Sequence, residues 1–177
     1  MDINLKDKKA FVCGSTQGIG KAAAIELANL GASIVLLARN EDSLRQVKDE
    51  LSEAQNQRHD YIVADFSKPD ELNNRVAEYL ETNPSPVHIL INNTGGPAAG
   101  KAVEADVQEF INTFQAHLIC NQILVQLLVE GMKVERYGRI VNVISTSVKQ
   151  PIPNLGVSNT IRGAVASWAK TLAGELG

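Results

Sequence analysis

Three glycines, Gly14, Gly18 and Gly20, stand where an apolar run passes into a helical pattern, in KKAFVCGSTQGIGKAAAIELANLGAS. Glycine allows the sharp turn and close backbone approach that a pyrophosphate requires. The helix that follows adds unpaired N–H groups and the positive end of its dipole. The pattern therefore predicts an anion site and favours a bound dinucleotide. Because the spacing Gly-x3-Gly-x-Gly differs from the common G-x-G-x-x-G, an ordinary strand-to-helix turn stays open as the alternative.

Arg39 follows the second apolar run, in SIVLLARN. An acidic residue at this place would accept hydrogen bonds from a ribose 2′-hydroxyl, whereas a cation suits a 2′-phosphate. We therefore expect NADP as the cofactor and NAD as the second choice. A solvated arginine at the end of a strand is the alternative interpretation.

The segments that must position these residues alternate between continuous apolar runs and helical spacing. This alternation is typical of buried parallel strands joined by crossover helices, so it predicts an α/β fold with a doubly wound parallel sheet and helices on both faces. We expect a single domain over residues 1–177, because this length allows one substantial core. The predicted strands are Lys9–Cys13, Ser33–Ala38, Tyr61–Ala64, His88–Ile91 and Arg139–Ser145.

The helices between the strands have recognisable beginnings. Asn40 is a suitable N-cap for the second helix, and Ser67 with Asp70 resembles a capping box for the third. A long helix is predicted over Val107–Met132, and a final one runs from near Val157 to the chain end. Because the chain stops inside that helix, the fifth strand would be an uncovered edge, and we expect the chain to be incomplete at its C-terminus.

Composition argues against several classes of function. The net charge is −3 and the 17 Lys and Arg residues are spread along the chain, so no electrostatic pattern indicates nucleic acid or anionic lipid. Cys13 and Cys120 lie in apolar runs, which predicts buried thiols and a reducing cytoplasm. No apolar run reaches the length of a transmembrane span, and no signal-peptide pattern opens the chain. We expect no membrane partner, and no metal at His59 or His88.

Five stretches together resemble the short-chain dehydrogenase/reductase superfamily. GSTQGIG resembles its TGxxxGIG turn, VADFS its adenine-contacting segment and INNTGG the NNAG motif after its fourth strand. GRIVNVIS is similar to its fifth strand, and GAVASWAKTLAGEL to the helix that follows its catalytic residues. The resemblance covers essentially the whole chain and implies a Rossmann-type fold that binds a nicotinamide dinucleotide. The residues expected at the cofactor are Gly14, Ser15, Thr16, Gln17, Gly18, Ile19, Gly20, Asp65, Phe66, Asn93, Thr94 and Gly95, together with Arg39 and Asn40 after the second strand.

The family's catalytic tyrosine and lysine are missing from this chain. Its active-site serine corresponds to Ser145, but the tyrosine 13 residues later and the lysine four residues after that fall on Ser158 and Arg162. The resemblance still implies that Ser145 polarises a carbonyl and that Arg162 orients the nicotinamide ribose. An aliphatic hydroxyl lacks the acidity of a tuned phenol, so we expect Ser158 to donate a hydrogen bond and not readily a proton.

Two other side chains are candidates for the proton donor. The family's active-site asparagine falls on His117. The pKa of an unperturbed histidine is about 6.5. His117 is interpreted as a proton relay, as a structural partner of the backbone or of a helix bend, or as a simple substitution. Lys149, four residues past Ser145, either swings into the cleft or stays in solvent, and solvent is the favoured interpretation.

The sequence leaves three functions open. The first is an NADP-dependent oxidoreductase that acts on a small carbonyl or alcohol, with Ser158 and either water or His117 completing an altered donor path. The second is a catalytically inactive dinucleotide-binding sensor or scaffold, which explains the changed positions directly. The third is another reaction on the same scaffold, such as dehydration or isomerisation. The resemblance also implies a homodimer or homotetramer, assembled through the long helix and the final helix.

Overall fold

The computed structural model describes residues 3–177 and contains five parallel strands with helices between them. The strands are β1 (Lys9–Cys13), β2 (Ser33–Ala38), β3 (Asp60–Val63), β4 (Ile89–Asn92) and β5 (Arg139–Asn142). The helices are α1 (Gly18–Asn29), α2 (Glu41–Asp49), α3 (Pro69–Thr82), α4 (Val107–Phe114), α5 (Cys120–Val134) and α6 (Gly156–Leu176). The strands lie in the order β3-β2-β1-β4-β5, so the direction of winding reverses between β1 and β4.

Two apolar cores, one on each face of the sheet, account for this architecture. The central strands β1 and β2 are almost entirely apolar and buried, and their successive side chains enter the two cores alternately. Helices α1 and α2 cover one face through residues such as Ala24 and Leu44. Helices α3 and α5 cover the other through residues such as Leu72 and Leu124. The doubly wound parallel sheet with helices on both faces is therefore confirmed.

The predicted strand ends agree for β1 and β2 and are wrong for the other three strands. β3 begins and ends one residue earlier than predicted, and β4 one residue later. β5 ends at Asn142, so Ser145 lies in the loop that follows and not in the strand. Only β4 pairs with β5 among residues 3–177, and the ladder ends with the register pair Asn92 and Asn142. Ser145 therefore lies just beyond the carboxyl edge of the sheet.

The N-terminus of α3 differs from the prediction, whereas that of α2 agrees with it. α3 begins at Pro69 without a side-chain cap. The backbone N–H of Ser67 instead donates to the carboxylate of Asp65 at 2.9 Å, because the chain is still turning there. The predicted capping box of Ser67 with Asp70 is therefore wrong. The Asn40 cap of α2 is confirmed, since its side-chain oxygen accepts a backbone N–H at 2.8 Å.

The long helix predicted over Val107–Met132 is interrupted. One π-helical turn, Gln115–Ile119, joins α4 to α5 and has the buried side chain of His117 at its centre. A π-turn inserts one residue into the helical winding and is frequent at functional sites. The apolar spacing did not indicate it, because a single inserted residue changes the 3.6-residue pattern only slightly.

The beginning of α6 is tied to the loop that follows β4. The N–H of Gly156 donates to the carbonyl of Gly100 at 2.9 Å. A Cβ at Gly156 would lie 2.2 Å from the backbone nitrogen of Ala102, so this approach requires glycine. The amide of Asn159 closes the preceding loop by donating to the carbonyl of Ile152 at 2.9 Å. These contacts hold the first turn of α6 at the carboxyl edge of the sheet.

The cysteines and two of the histidines belong to the packed interior. Cys13 and Cys120 are fully buried and unpaired. His59 and His88 are buried, and each accepts through Nδ1 a backbone N–H of the neighbouring strand. Residues 3–177 contain no group of three or more His, Cys, Asp and Glu side chains that could hold a metal ion. None of the helices in this range is long and apolar enough to cross a bilayer.

Candidate functional site

A cleft of about 570 Å³ opens at the carboxyl ends of β1, β2 and β4, where the direction of winding reverses. Such switch points are where open α/β sheets bind ligands. The residues expected at the cofactor that line this cleft are Gly14, Thr16, Gln17, Gly18, Arg39, Asn40, Asp65, Phe66, Asn93, Thr94 and Gly95. Segments more than 70 residues apart in the chain therefore meet around one cavity.

Three residues expected at the cofactor do not line the cleft. Ser15 is fully buried, and its hydroxyl donates to the carbonyl of Leu37 at 3.4 Å, which links the glycine turn to β2. Ile19 is 64% exposed, and Gly20 packs against the turn. Further lining residues that the sequence analysis missed are Ala38, Ala64, Ser67, Gly96 and Ala116. These residues are small, and their side chains do not point to a binding role. Only their position next to predicted residues in the chain could have indicated them.

The glycine turn is shaped to expose its backbone. Gly14 and Gly18 have positive φ angles of 57° and 55°, which favour glycine. A Cβ at Gly20 would lie 2.2 Å from the carbonyl oxygen of Gly14, so α1 can approach the turn only without a side chain there. A Cβ at Gly18 would meet no atom within 4 Å, so its backbone faces open space. The Gln17 side chain makes no capping hydrogen bond to the N-terminus of α1.

Asn93 holds this turn against the end of β4. Its Nδ2 donates to the carbonyl oxygens of Cys13 at 3.2 Å and of Gly14 at 3.3 Å. A Cβ at Gly14 would lie 2.7 Å from the same Nδ2, which leaves no room for a side chain. Asn93 therefore positions the cleft wall in addition to lining it.

Arg39 and Asp65 supply the charges at the β2 and β3 end of the cleft. Arg39 is exposed and makes no hydrogen bond or ion pair with the described part of the chain. Burial raises the pKa of Asp65, but hydrogen bonds from Ser67 and the positive charges of Arg39 and Lys68 lower it overall. The guanidinium of Arg39 is therefore available to a ligand and is only partly balanced by an ionised carboxylate.

Ser145 lies at the same edge of the sheet, after β5. Its Oγ accepts the backbone N–H of Ser147 at 3.1 Å and so caps the short 3₁₀ turn Thr146–Val148. This turn packs against α6. Because the Oγ acts as an acceptor in that contact, its hydrogen remains available for donation to another oxygen.

Ser158 and Arg162 lie on the first two turns of α6, four residues apart and therefore on the same side of the helix. Nη1 of Arg162 donates to the carbonyl oxygen of Val143 at 2.6 Å, which joins α6 to the loop after β5. Nη2 lies 3.8 Å from the position of a Cβ at Gly96, in the cleft lining. Burial lowers the pKa of Arg162, although a guanidinium keeps its charge at neutral pH.

His117 is enclosed behind the loop that follows β4. Its side chain is 3% exposed, and the backbone of Gly95 acts to raise its pKa. Burial and the charge of Arg162 outweigh this effect and lower the pKa of His117 to about 4. The imidazole is therefore neutral at physiological pH. Of the three interpretations of His117, this geometry fits that of a structural partner of the backbone.

None of the tyrosines lies in the cleft. Tyr61 bonds to Arg45 and Glu41 beside α2, and Tyr79 packs edge-on against Phe11 in the core. Tyr137 lies at the opposite edge of the sheet, with the cations Lys8 and Arg139 near its ring. Residues 3–177 therefore contribute no phenol to the cleft.

Comparisons with known proteins identify the family to which this chain is similar. The model of the short chain dehydrogenase family matches residues 8–177. The chain is 36% identical over 148 residues to hydroxysteroid dehydrogenase-like protein 1 of Gallus gallus, an alignment that covers 82% of this chain and 44% of that protein. It is 30% identical over 168 residues to inactive hydroxysteroid dehydrogenase-like protein 1 of Homo sapiens, with coverage of 94% and 50%. The chain spans about half the length of these relatives.

A solved structure of a reductase has the same fold as this chain. L-sorbose reductase from Gluconobacter frateurii, in complex with NADPH and L-sorbose, superposes on the chain with a TM-score of 0.91. The identity is 30%, and the match covers 99% of this chain and 66% of the reductase. The reductase therefore shares the fold over nearly all of the described residues.

Proposed function

Because the chain belongs to the short-chain dehydrogenase family, as its motifs predicted, we propose that it is an NADP-dependent oxidoreductase with an altered proton-donating site. Its substrate would be a small carbonyl compound or alcohol. The observation that carries the proposal is the open cleft at the β1–β4 switch point, with the glycine turn on its wall. Ser145 follows β5, the strand next to β4, at the same sheet edge.

The residues of the cleft fit a nicotinamide dinucleotide. Gly18 and Gly95 have no atom within 4 Å of the position of a Cβ, so both backbones are open to a ligand. The N-terminus of α1 would hold the pyrophosphate. The exposed Arg39 favours a 2′-phosphate, which supports NADP over NAD. L-sorbose reductase, which shares the fold, was solved with NADPH.

The chain's own side chains would then act on the substrate oxygen and the ribose. Ser145 would donate its free hydrogen to the carbonyl oxygen, because its Oγ already accepts a backbone N–H. Arg162, anchored on Val143, would direct one of its remaining donors towards the ribose hydroxyls. When bound, the dinucleotide supplies or accepts the hydride. Without a phenolic acid, turnover is expected to be about 10²- to 10⁴-fold slower than with one.

A dinucleotide-binding protein without turnover is the second candidate. Two observations favour it: no tyrosine of residues 3–177 lies in the cleft, and the human relative bears the name inactive. His117 adds to this, since it is buried and its pKa of about 4 keeps the imidazole neutral, without a proton to give as a general acid.

We also propose a cytoplasmic homodimer or homotetramer. The buried free thiols Cys13 and Cys120 suit a reducing compartment. On α4, Val107, Ile111 and Phe114 are 73%, 44% and 39% exposed and form an apolar stripe that suits a subunit contact.

One experiment separates the two candidates. NADPH binding would be measured by fluorescence, and its oxidation would be followed across a panel of aldehydes, ketones and sugars. Turnover that is lost in Ser145→Ala and kept in Lys149→Gln supports the oxidoreductase. Tight binding without oxidation of NADPH on any compound supports the binding protein. Absence of affinity for both NADPH and NADH contradicts both.

A further inference from the structure

We propose that Arg162 and Ser158 form a binding site for an anionic oxygen group of the substrate, a carboxylate or a phosphate, beside the reacting carbon. This inference rests on the proposed function, because it assigns a chemical class to the substrate proposed above. It differs from a neutral carbonyl or alcohol site in requiring a negative charge on the substrate.

The first support is the unbalanced charge of Arg162. The guanidinium is half-buried, and its one hydrogen bond goes to the neutral carbonyl of Val143. No carboxylate of residues 3–177 forms an ion pair with it, and no acidic group offsets the lowering of its pKa by burial. Arg45, by contrast, is exposed and still bonds to Glu41 at 2.7 Å. A half-buried cation without a counter-charge is costly, and a bound anion would remove that cost.

The second support is the set of donors left free around this charge. A guanidinium has five N–H donors in a planar fork that suits the two oxygens of a carboxylate or phosphate. One of these donors is used on Val143, and Nη2 points towards the lining at Gly96. Ser158, one helical turn earlier on the same side of α6, has a hydroxyl without a hydrogen-bond partner in the described chain. Both groups therefore offer hydrogens without an internal acceptor.

The third support is the space available. Gly96 has no side chain, and the nearest atom to the position of its Cβ is Nη2 of Arg162 at 3.8 Å. His117 is close enough to Arg162 to respond to its charge but is neutral, so it does not act as a competing cation for the anion.

The test uses the full chain saturated with NADPH. Sodium acetate or inorganic phosphate is titrated into it at constant ionic strength, and calorimetry measures the affinity for the anion. We expect millimolar binding of at least one anion. We expect Arg162→Gln to weaken it by about 10-fold or more, and Ser158→Ala by about 3-fold or more. Arg162→Lys would retain part of the affinity. Lys149→Gln, which removes an exposed cation near the same edge, would leave it unchanged and is the matched control.

Acetate and phosphate distinguish the two kinds of anionic group. Tighter binding of acetate assigns a carboxylate to the substrate, and tighter binding of phosphate assigns a phosphate ester. Equal affinity of wild type and Arg162→Gln for both anions overturns the proposal. Competition between the anion and NADPH also overturns it, because the anion would then occupy the cofactor pocket. If Arg162→Gln does not fold, unchanged anion affinity in both Arg162→Lys and Ser158→Ala overturns it. If NADPH does not bind, the proposed function fails, and the same titration without cofactor still tests Arg162.

Discussion

The Nη1 atom of Arg162 donates to the backbone carbonyl of Val143 across a distance of 2.6 Å. This bond connects the second turn of α6 to the loop between β5 and Ser145. The guanidinium is thus held in place by the protein before any ligand arrives, while most of its donors remain free. A lysine at this position has no planar fork and would not provide the same combination.

The cofactor preference is expected to depend on Arg39. Replacing it in Arg39→Gln removes the exposed cation at the cleft, so we expect the Kd for NADPH to rise about 10-fold or more, with little change for NADH. Fluorescence titration with both cofactors measures this. Arg45→Gln removes an arginine that is paired with Glu41 instead and is the control. Equal losses for NADPH and NADH in Arg39→Gln would show that Arg39 does not recognise the 2′-phosphate.

The backbone at Gly18 is expected to contact the dinucleotide. In Gly18→Ala the new Cβ would enter open space in the cleft, and the φ of 55° would add about 1–2 kcal/mol of strain. We therefore expect NADPH affinity to fall about 10-fold or more. Gly174→Ala in α6, where a Cβ also meets nothing within 4 Å, should leave the affinity intact and raise stability by up to about 1 kcal/mol. Calorimetric titration and thermal unfolding of both variants provide the comparison. Unchanged NADPH affinity in Gly18→Ala would place the pyrophosphate elsewhere.

Stability is expected to fall as the pH decreases from about 6.5 towards 4. Burial holds the pKa of His117 at about 4, whereas the pKa of a histidine in an unfolded chain is about 6.5. Between these two pH values the unfolded state therefore binds one more proton than the folded state. The free energy of unfolding should therefore fall by up to about 3 kcal/mol from this residue. Urea unfolding at pH 7, 6 and 5 measures it.

His117→Asn removes the titrating group and should flatten this pH dependence. His88→Gln is the comparison, because burial also lowers the pKa of His88 and its contribution has the same sign. If His117→Asn lost stability with the same slope as the wild type, His117 would not be the responsible group.

A phenol at position 158 is expected to restore faster turnover. The double variant Ser158→Tyr with Arg162→Lys reinstates the family's pair, and a general acid is worth about 10²- to 10⁴-fold in rate. Steady-state kcat on any carbonyl that the wild type reduces would show the gain. Ser158→Phe with Arg162→Lys adds the ring without the hydroxyl and is the matched control. Equal kcat for the tyrosine and phenylalanine variants would mean that the chain already has an effective proton donor.

The order of the elements and the cofactor cleft could be predicted from the sequence because both depend on local patterns. Central strands buried on both faces must be continuously apolar, so β1 and β2 were predicted at their observed ends. The glycine turn needs glycine at positions of positive φ, and this requirement is visible in the residue types at 14 and 18. The predicted end of β5 at Ser145 was too late, because apolar residues continue beyond Asn92 and Asn142, the last register pair of the two strands.

By itself, the sequence determined the fold class and the family, since both follow from residue type and spacing, and it predicts the replacement of the family's tyrosine by Ser158. Only the tertiary structure decided that His117 is buried near Gly95, that Arg162 bonds to Val143 and that no tyrosine of residues 3–177 enters the cleft. Arg162 and Val143 are 19 positions apart, and the local pattern around each residue does not specify their contact. Their geometry is set by how α6 and the π-turn pack against the carboxyl edge of the sheet.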